Sequence, residues 1–237
     1  MHNWDCFANP ATFARHLKET GVERLTLLGP LEGGLNPSPV QIEQSNARTL
    51  DYMRRFGPRV SGLCYVNPAH SEHALAEWQR CASLGMIGLK LWVSIFCDDR
   101  RVDPVLQDVF AKDRPVLIHA WRKRDGNLPG ECTADHVVRL AKRYPAGKII
   151  MAHMAGDWEY GIKAVRDLAN VWVDFAGTIN EAGAYEMAVK ELGENRILFG
   201  TDGPADYYHC LARVLNASLT SRAKRKILFG NADQLFS

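Results

Sequence analysis

Two histidines and an aspartate stand where short apolar runs stop. His119 ends Pro-Val-Leu-Ile-His, His153 ends Ile-Ile-Met-Ala-His, and Asp202 ends Ile-Leu-Phe-Gly-Thr-Asp. Neutral imidazole and carboxylate are suitable ligands for Zn²⁺ and related divalent ions. The same groups accept and deliver protons near neutral pH. A lone histidine at such a place reads as a strand-end residue bonded to backbone, whereas two imidazoles and a carboxylate at three strand ends read as a site. Further residues fall nearby: Lys90 and Trp92 in Gly-Leu-Lys-Leu-Trp, Trp121 and Arg122 just past His119, and Trp158 past His153. The tryptophans would wall an apolar pocket. Lys90 would bind an anion, bridge two metals as a carboxylated lysine, or simply pack. Segment 122–133 is long enough to act as a lid or to bring Glu131 to the site. His16, His70, His73 and His136 lie in or at the start of helical stretches and are expected at the surface.

The elements that must position these residues are legible in the hydropathy pattern. Residues 24–28, 60–65, 87–91, 116–119, 149–152, 171–175 and 197–200 are largely apolar throughout. That is the pattern of strands buried on both faces of a parallel sheet. Between them, 10–20, 39–55, 71–84, 103–112, 133–143, 159–168, 181–192 and 207–216 carry helical periodicity and surface charge, and 221–229 adds another stretch. Regular alternation of this kind predicts an α/β fold, a TIM-like (β/α)8 barrel formed as a single domain over 1–237. Its first strand should be absent or rudimentary, because Met1 to Ala8 make a poor strand. A doubly wound open sheet is the alternative, but Gly33-Gly34 does not match a phosphate-binding loop. In a parallel barrel the site lies at the C-terminal ends of the strands, where the residues above fall.

Composition narrows the function classes. The chain has 237 residues, 46% hydrophobic and 24% charged, with a net charge of +2. So small a charge gives no field for drawing in nucleic acid or a membrane surface. No apolar run reaches the roughly 18 residues of a membrane helix. His2, Asn3 and Asp5 stand where the apolar core of a signal peptide would begin. The six cysteines are scattered without a Cys-x-x-Cys pair and read as reduced thiols of a cytoplasmic protein. The expected partner is a small-molecule substrate, and a homodimer is expected to cover the edge left by the missing strand.

Taken in order, Gly88-Leu89-Lys90-Leu91-Trp92, Val-Leu-Ile-His119, Ile-Met-Ala-His153 and Leu-Phe-Gly-Thr-Asp202 resemble the amidohydrolase superfamily, in its amidohydrolase-related branch. The closing Ile-Leu-Phe-Gly-Asn231-Ala232-Asp-Gln-Leu-Phe is similar to that family's last segment. The resemblance implies a barrel and a metal-dependent hydrolase or decarboxylase. It also implies a metal held by His119, Asp202 and His2, the last standing for the second histidine of the family's opening His-x-His. The first histidine of that pair is missing here, so binding of the one divalent ion, most simply Zn²⁺, is expected to be weak or substoichiometric.

On this reading the metal activates water and polarises a carbonyl of an amide, ester or lactone. Asp202 takes the water's proton, and His153 acts as general acid or charge stabiliser. Lys90, Trp92, Trp121, Arg122, Glu131 and Trp158 bind the substrate. The alternatives are non-oxidative decarboxylation of an aromatic or unsaturated acid, and a metal-free barrel without catalysis.

Overall fold

The computed structural model describes residues 9–29, 34–177 and 181–237. Its elements are α1 (Pro10–Thr20), β1 (Leu25–Leu28), α2 (Pro39–Phe56), β2 (Val60–Val66), α3 (Ser71–Ser83), β3 (Gly88–Leu91), α4 (Asp103–Ala111) and β4 (Val116–Ile118). They continue with α5 (Ala134–Arg143), β5 (Ile149–Met151), α6 (Trp158–Ala164), β6 (Val171–Asp174), α7 (Ala184–Leu192), β7 (Ile197–Leu198), α8 (Tyr207–Asn216), α9 (Ser221–Arg225) and α10 (Asn231–Phe236). The seven strands form one parallel sheet in the order β1-β2-β3-β4-β5-β6-β7, the strand–helix alternation of a TIM-like barrel. Among the described residues β1 and β7 are its outer strands. The N-terminal stretch that would supply a first strand, with His2 in it, lies outside the described residues.

Local chemistry sets the helix ends. α1 begins with Pro10 behind Asn9, whose side chain accepts from the Ala11 N–H, and stops at Gly21 with φ +66°. α5 opens on a capping box in which the His136 ring replaces the usual glutamate and meets the Thr133 N–H at 3.1 Å. α7 starts at Ala184, three residues later than periodicity suggests, behind a left-handed Gly183. α6 stops at Ala164 rather than 168.

Side-chain alternation divides the core in two. Leu89, Leu91, Val116, Ile118, Ile149, Met151, Val171 and Val173 pack outward against the helices in the main cluster. Ile150 and Leu198 turn inward, with Leu117 and Trp172, against Leu235 of α10. Lys90 pairs in register with Leu117, which pairs with Ile150 and that with Trp172, so Lys90 belongs to the inward layer. Two residues further along, the next layer toward the C-terminal ends holds Trp92, His119, Ala152 and Asp174. A cavity of about 790 Å³ is lined by residues of both outer strands, Thr26 and Leu198 among them, together with Ser61, Leu117, Ile150 and Asp174. Cys64, Cys81, Cys97, Cys132 and Cys210 are free thiols, and Cys6 lies outside the described residues. No described helix is long and apolar enough to cross a membrane.

Candidate active site

His119 leaves β4 with its backbone N–H still bonded to the Leu91 carbonyl at 2.9 Å, so its position is set by the sheet. Its Nε2 lies 3.0 Å from Glu131 Oε1. Glu131 arrives on segment 122–133, which is tied to the strand end by the Trp121 N–H bonded to the Cys132 carbonyl at 2.7 Å. The other carboxylate oxygen of Glu131 accepts from the Leu128 N–H at 2.9 Å and lies 2.9 Å from Lys123 Nζ. Burial would raise the Glu131 carboxyl, but His119, Lys123 and the Leu128 N–H outweigh it and hold it down to about 2. Burial, with help from Lys90 and His153, pulls His119 down to about 4 despite Glu131. At neutral pH the pair is therefore a neutral imidazole on a carboxylate.

His153 sits on an unusual turn. It, Met154 and Ala155 all have positive φ, at 58°, 48° and 61°, and Gly156 follows at 77°. Left-handed angles cost non-glycine residues about 1–3 kcal/mol each, so the surroundings must enforce them. The His153 N–H donates to Asp174 Oδ1 at 3.0 Å, the Gly156 N–H to the His153 carbonyl at 2.9 Å, and the Arg122 N–H to the Ala155 carbonyl at 2.7 Å. Any Cβ at Gly156 would stand 2.8 Å from Trp121 Cδ1 and 2.9 Å from the Arg122 nitrogen, so only glycine lets the two loops meet. The result fixes the ring: Nδ1 donates to the Ala176 carbonyl at 2.9 Å, leaving Nε2 with no hydrogen-bond partner among the described residues. Ala176 is itself fixed, its N–H donating to Asp174 Oδ1 at 3.0 Å.

The rings of His119 and His153 lie 5.1 Å apart at 68°. Trp121 stands 5.1 Å from His153 and 6.4 Å from His119, and Trp92 lies 6.3 Å from His119. Lys90, only 2% exposed, rises from the layer below. Burial lowers its ammonium to about 8, against the pull of the Asp202 and Asp174 carboxylates. Asp202 follows β7 at φ +63°, half-buried, with its charge directed on Lys90.

The structure thus brings together Lys90, Trp92, His119, Trp121, Glu131 and His153, with the Asp202 carboxylate within electrostatic reach of Lys90. Two residues expected to bind substrate lie elsewhere. Arg122 is exposed, stacks over Tyr160 at 4.9 Å and approaches Asp157 at 3.9 Å, because its backbone is committed to Ala155 and its side chain must run outward. Trp158 packs against the main core from the start of α6. The expected surface histidines are half-buried: His136 stacks on Phe96 at 4.2 Å, and His73 pairs with Glu43 at 3.0 Å. Sequence reasoning passed over Lys123, which holds Glu131, and the acceptor role of Asp174, whose only signal was its place at the end of an apolar run.

The donor types fit a divalent ion: a neutral imidazole on His119 and carboxylates on Asp202 and Glu131. Among the described residues, however, no three His, Cys, Asp or Glu side chains lie close enough to close a metal site. His119 and Asp202 each stand within electrostatic reach of Lys90, and His2, the third expected ligand, lies outside the described residues.

Comparisons with known proteins agree with this architecture. The chain is 26% identical over 285 residues to a gamma-resorcylate decarboxylase of Polaromonas sp., covering 94% of this chain and 85% of that protein. The crystal structure of 2,6-dihydroxybenzoate decarboxylase from Rhizobium superposes with a TM-score of 0.79 at 19% identity, over 95% of this chain and 87% of that one. A dihydroxybenzoic acid decarboxylase from Polaromonas sp., solved with bound manganese and the inhibitor 2-nitroresorcinol, gives 0.78 at 22% identity, over 94% and 84%. These two structures share the fold. A family profile described as Amidohydrolase matches residues 22–237, nearly the whole chain, and the protein belongs to that family.

Proposed function

We propose that the protein is a metal-dependent decarboxylase that removes CO₂ from a small aromatic acid without oxidation. The observation that carries this reading is a cluster of indole and imidazole rings beside a buried cation. Trp92 and Trp121 flank the His119 and His153 rings, and the Lys90 ammonium rises from the layer beneath. Indoles stack on a planar aromatic ring, and an ammonium pairs with its carboxylate. The relative named as a gamma-resorcylate decarboxylase supports the same chemistry. Hydrolysis, the first expectation from sequence, has no such support.

Lys90 binds the substrate carboxylate, and Trp92 and Trp121 hold the ring. The bond from ring to carboxyl carbon breaks, its electron pair stays on the ring carbon, and CO₂ leaves. A proton must then reach that carbon; Nδ1 of His153 keeps its proton on the Ala176 carbonyl, so Nε2 first takes up a proton from solvent and then passes it to the ring carbon. His119, Asp202 and His2 would hold the divalent ion. Zn²⁺ suits the donors, and Mn²⁺ is bound in the Polaromonas enzyme. The ion supplies a positive centre that anchors the acid's oxygens and stabilises charge on the ring.

The test incubates the purified chain, with Zn²⁺ or Mn²⁺, with carboxyl-labelled hydroxybenzoates and separately with aryl esters, amides and lactones. Labelled CO₂ together with one deuteron taken up by the ring in heavy water is the expected result. Ester or lactone cleavage without CO₂ release would overturn it in favour of hydrolysis.

A further inference from the structure

We propose that Glu131 is the positioning residue of His119: it takes the Nε2 proton and leaves Nδ1 as the ring nitrogen that meets the divalent ion. The metal half rests on the reading of His119 as a ligand given above.

The donor assignment follows from what each partner can do. Glu131 Oε2 already receives the Leu128 N–H and lies 2.9 Å from the Lys123 ammonium. Its charge is thereby fixed, and Oε1 remains as an acceptor aimed at His119 Nε2, 3.0 Å away. An acceptor there requires Nε2 to carry the proton. Nδ1 then holds the lone pair, and among the described residues it has no hydrogen-bond partner. His153 is the mirror case: a carbonyl oxygen can only accept, so the Ala176 oxygen at 2.9 Å requires the proton on Nδ1 and leaves Nε2 open. Two neighbouring histidines are thus set as opposite tautomers by different acceptors.

Glu131 is well built for the task. It is 2% exposed, and Lys123 reaches it from a side chain that is 35% exposed. Histidines that bind metals commonly donate their second N–H to a carboxylate, and loss of that partner costs about 10- to 100-fold in metal affinity.

The test labels histidine isotopically and records long-range proton–nitrogen spectra of the metal-free chain. The expected result is a proton on Nε2 of His119 and on Nδ1 of His153. Glu131→Ala should mix the His119 tautomers while leaving the His153 signals in place, which also reports that the fold is intact. Glu131→Gln keeps an acceptor oxygen and should restore the Nε2–H form. Zn²⁺ should then shift Nδ1 of His119 in the wild type, and should bind about 10- to 100-fold more weakly to Glu131→Ala. A proton found on Nδ1 of His119, an unchanged tautomer in Glu131→Ala, or Zn²⁺ displacing the Nε2 proton would each overturn the proposal. So would a wild-type chain that binds no Zn²⁺. None of these readouts uses a substrate, so a chain that decarboxylates nothing still decides them.

Discussion

The ring of His119 meets the ring of His153 nearly edge-on at 5.1 Å, and each is anchored through a different nitrogen. The two imidazoles therefore present different faces to whatever lies between them. This division of labour underlies the first prediction.

His153→Asn keeps a residue that tolerates left-handed backbone angles but removes the open Nε2. Turnover should fall by about 100- to 10,000-fold, the usual range for losing a general acid. The melting temperature should move little, because the backbone bond to Asp174 survives. Steady-state CO₂ release alongside a thermal melt checks both. Turnover near wild type would remove His153 from the reaction.

Lys90 links activity to pH. Its ammonium is lowered from 10.5 to about 8, first by burial. Between those values the unfolded chain binds more protons than the folded one, so stability rises with pH across that window. The cost of burying the charge is present in full below pH 8. Compared with Lys90→Met, the wild type should gain up to about 1.4 kcal/mol per pH unit from roughly pH 8 upward, by urea unfolding. Substrate affinity should run the other way, with KM rising above pH 8 as the cation is lost.

Asp174 holds two backbone N–H groups through one oxygen, at 3.0 Å each. Asp174→Ala leaves both buried and unpaired, at about 1–3 kcal/mol for each donor. Asp174→Asn retains an acceptor oxygen and should cost far less. Denaturant midpoints of the two variants separate a structural acceptor from a residue whose charge matters.

Gly156→Ala places a methyl group 2.8 Å from Trp121 at φ +77°. Strain and overlap together should cost about 1–3 kcal/mol and push Trp121 off His153. Activity should fall further than stability accounts for, seen as reduced turnover well below the melting temperature.

Much of this architecture was readable from hydropathy alone. Parallel strands covered on both faces need unbroken apolar runs, and all seven such runs became strands. His119 and His153 were visible because a polar residue at the end of such a run has few structural excuses. Side chains whose direction depends on the path of a loop were not visible. Arg122 and Lys123 are adjacent cations, yet the bond from the Arg122 N–H to Ala155 sends one toward Tyr160, while its neighbour reaches Glu131. No periodicity encodes that choice. The role of Asp174 was hidden for a related reason: besides the nearby Ala176 N–H, its partner is the His153 N–H of another segment, brought near by the register of β5 and β6.

The left-handed turn at His153–Ala155 sets selection for robustness against selection for turnover. Ala155 is small and 1% exposed, so glycine there would give up little packing and relax one unfavourable backbone angle. A library screened only for heat resistance should enrich Ala155→Gly, and those survivors should hold the His153 ring less firmly. A chain under selection for chemistry is expected to keep the alanine.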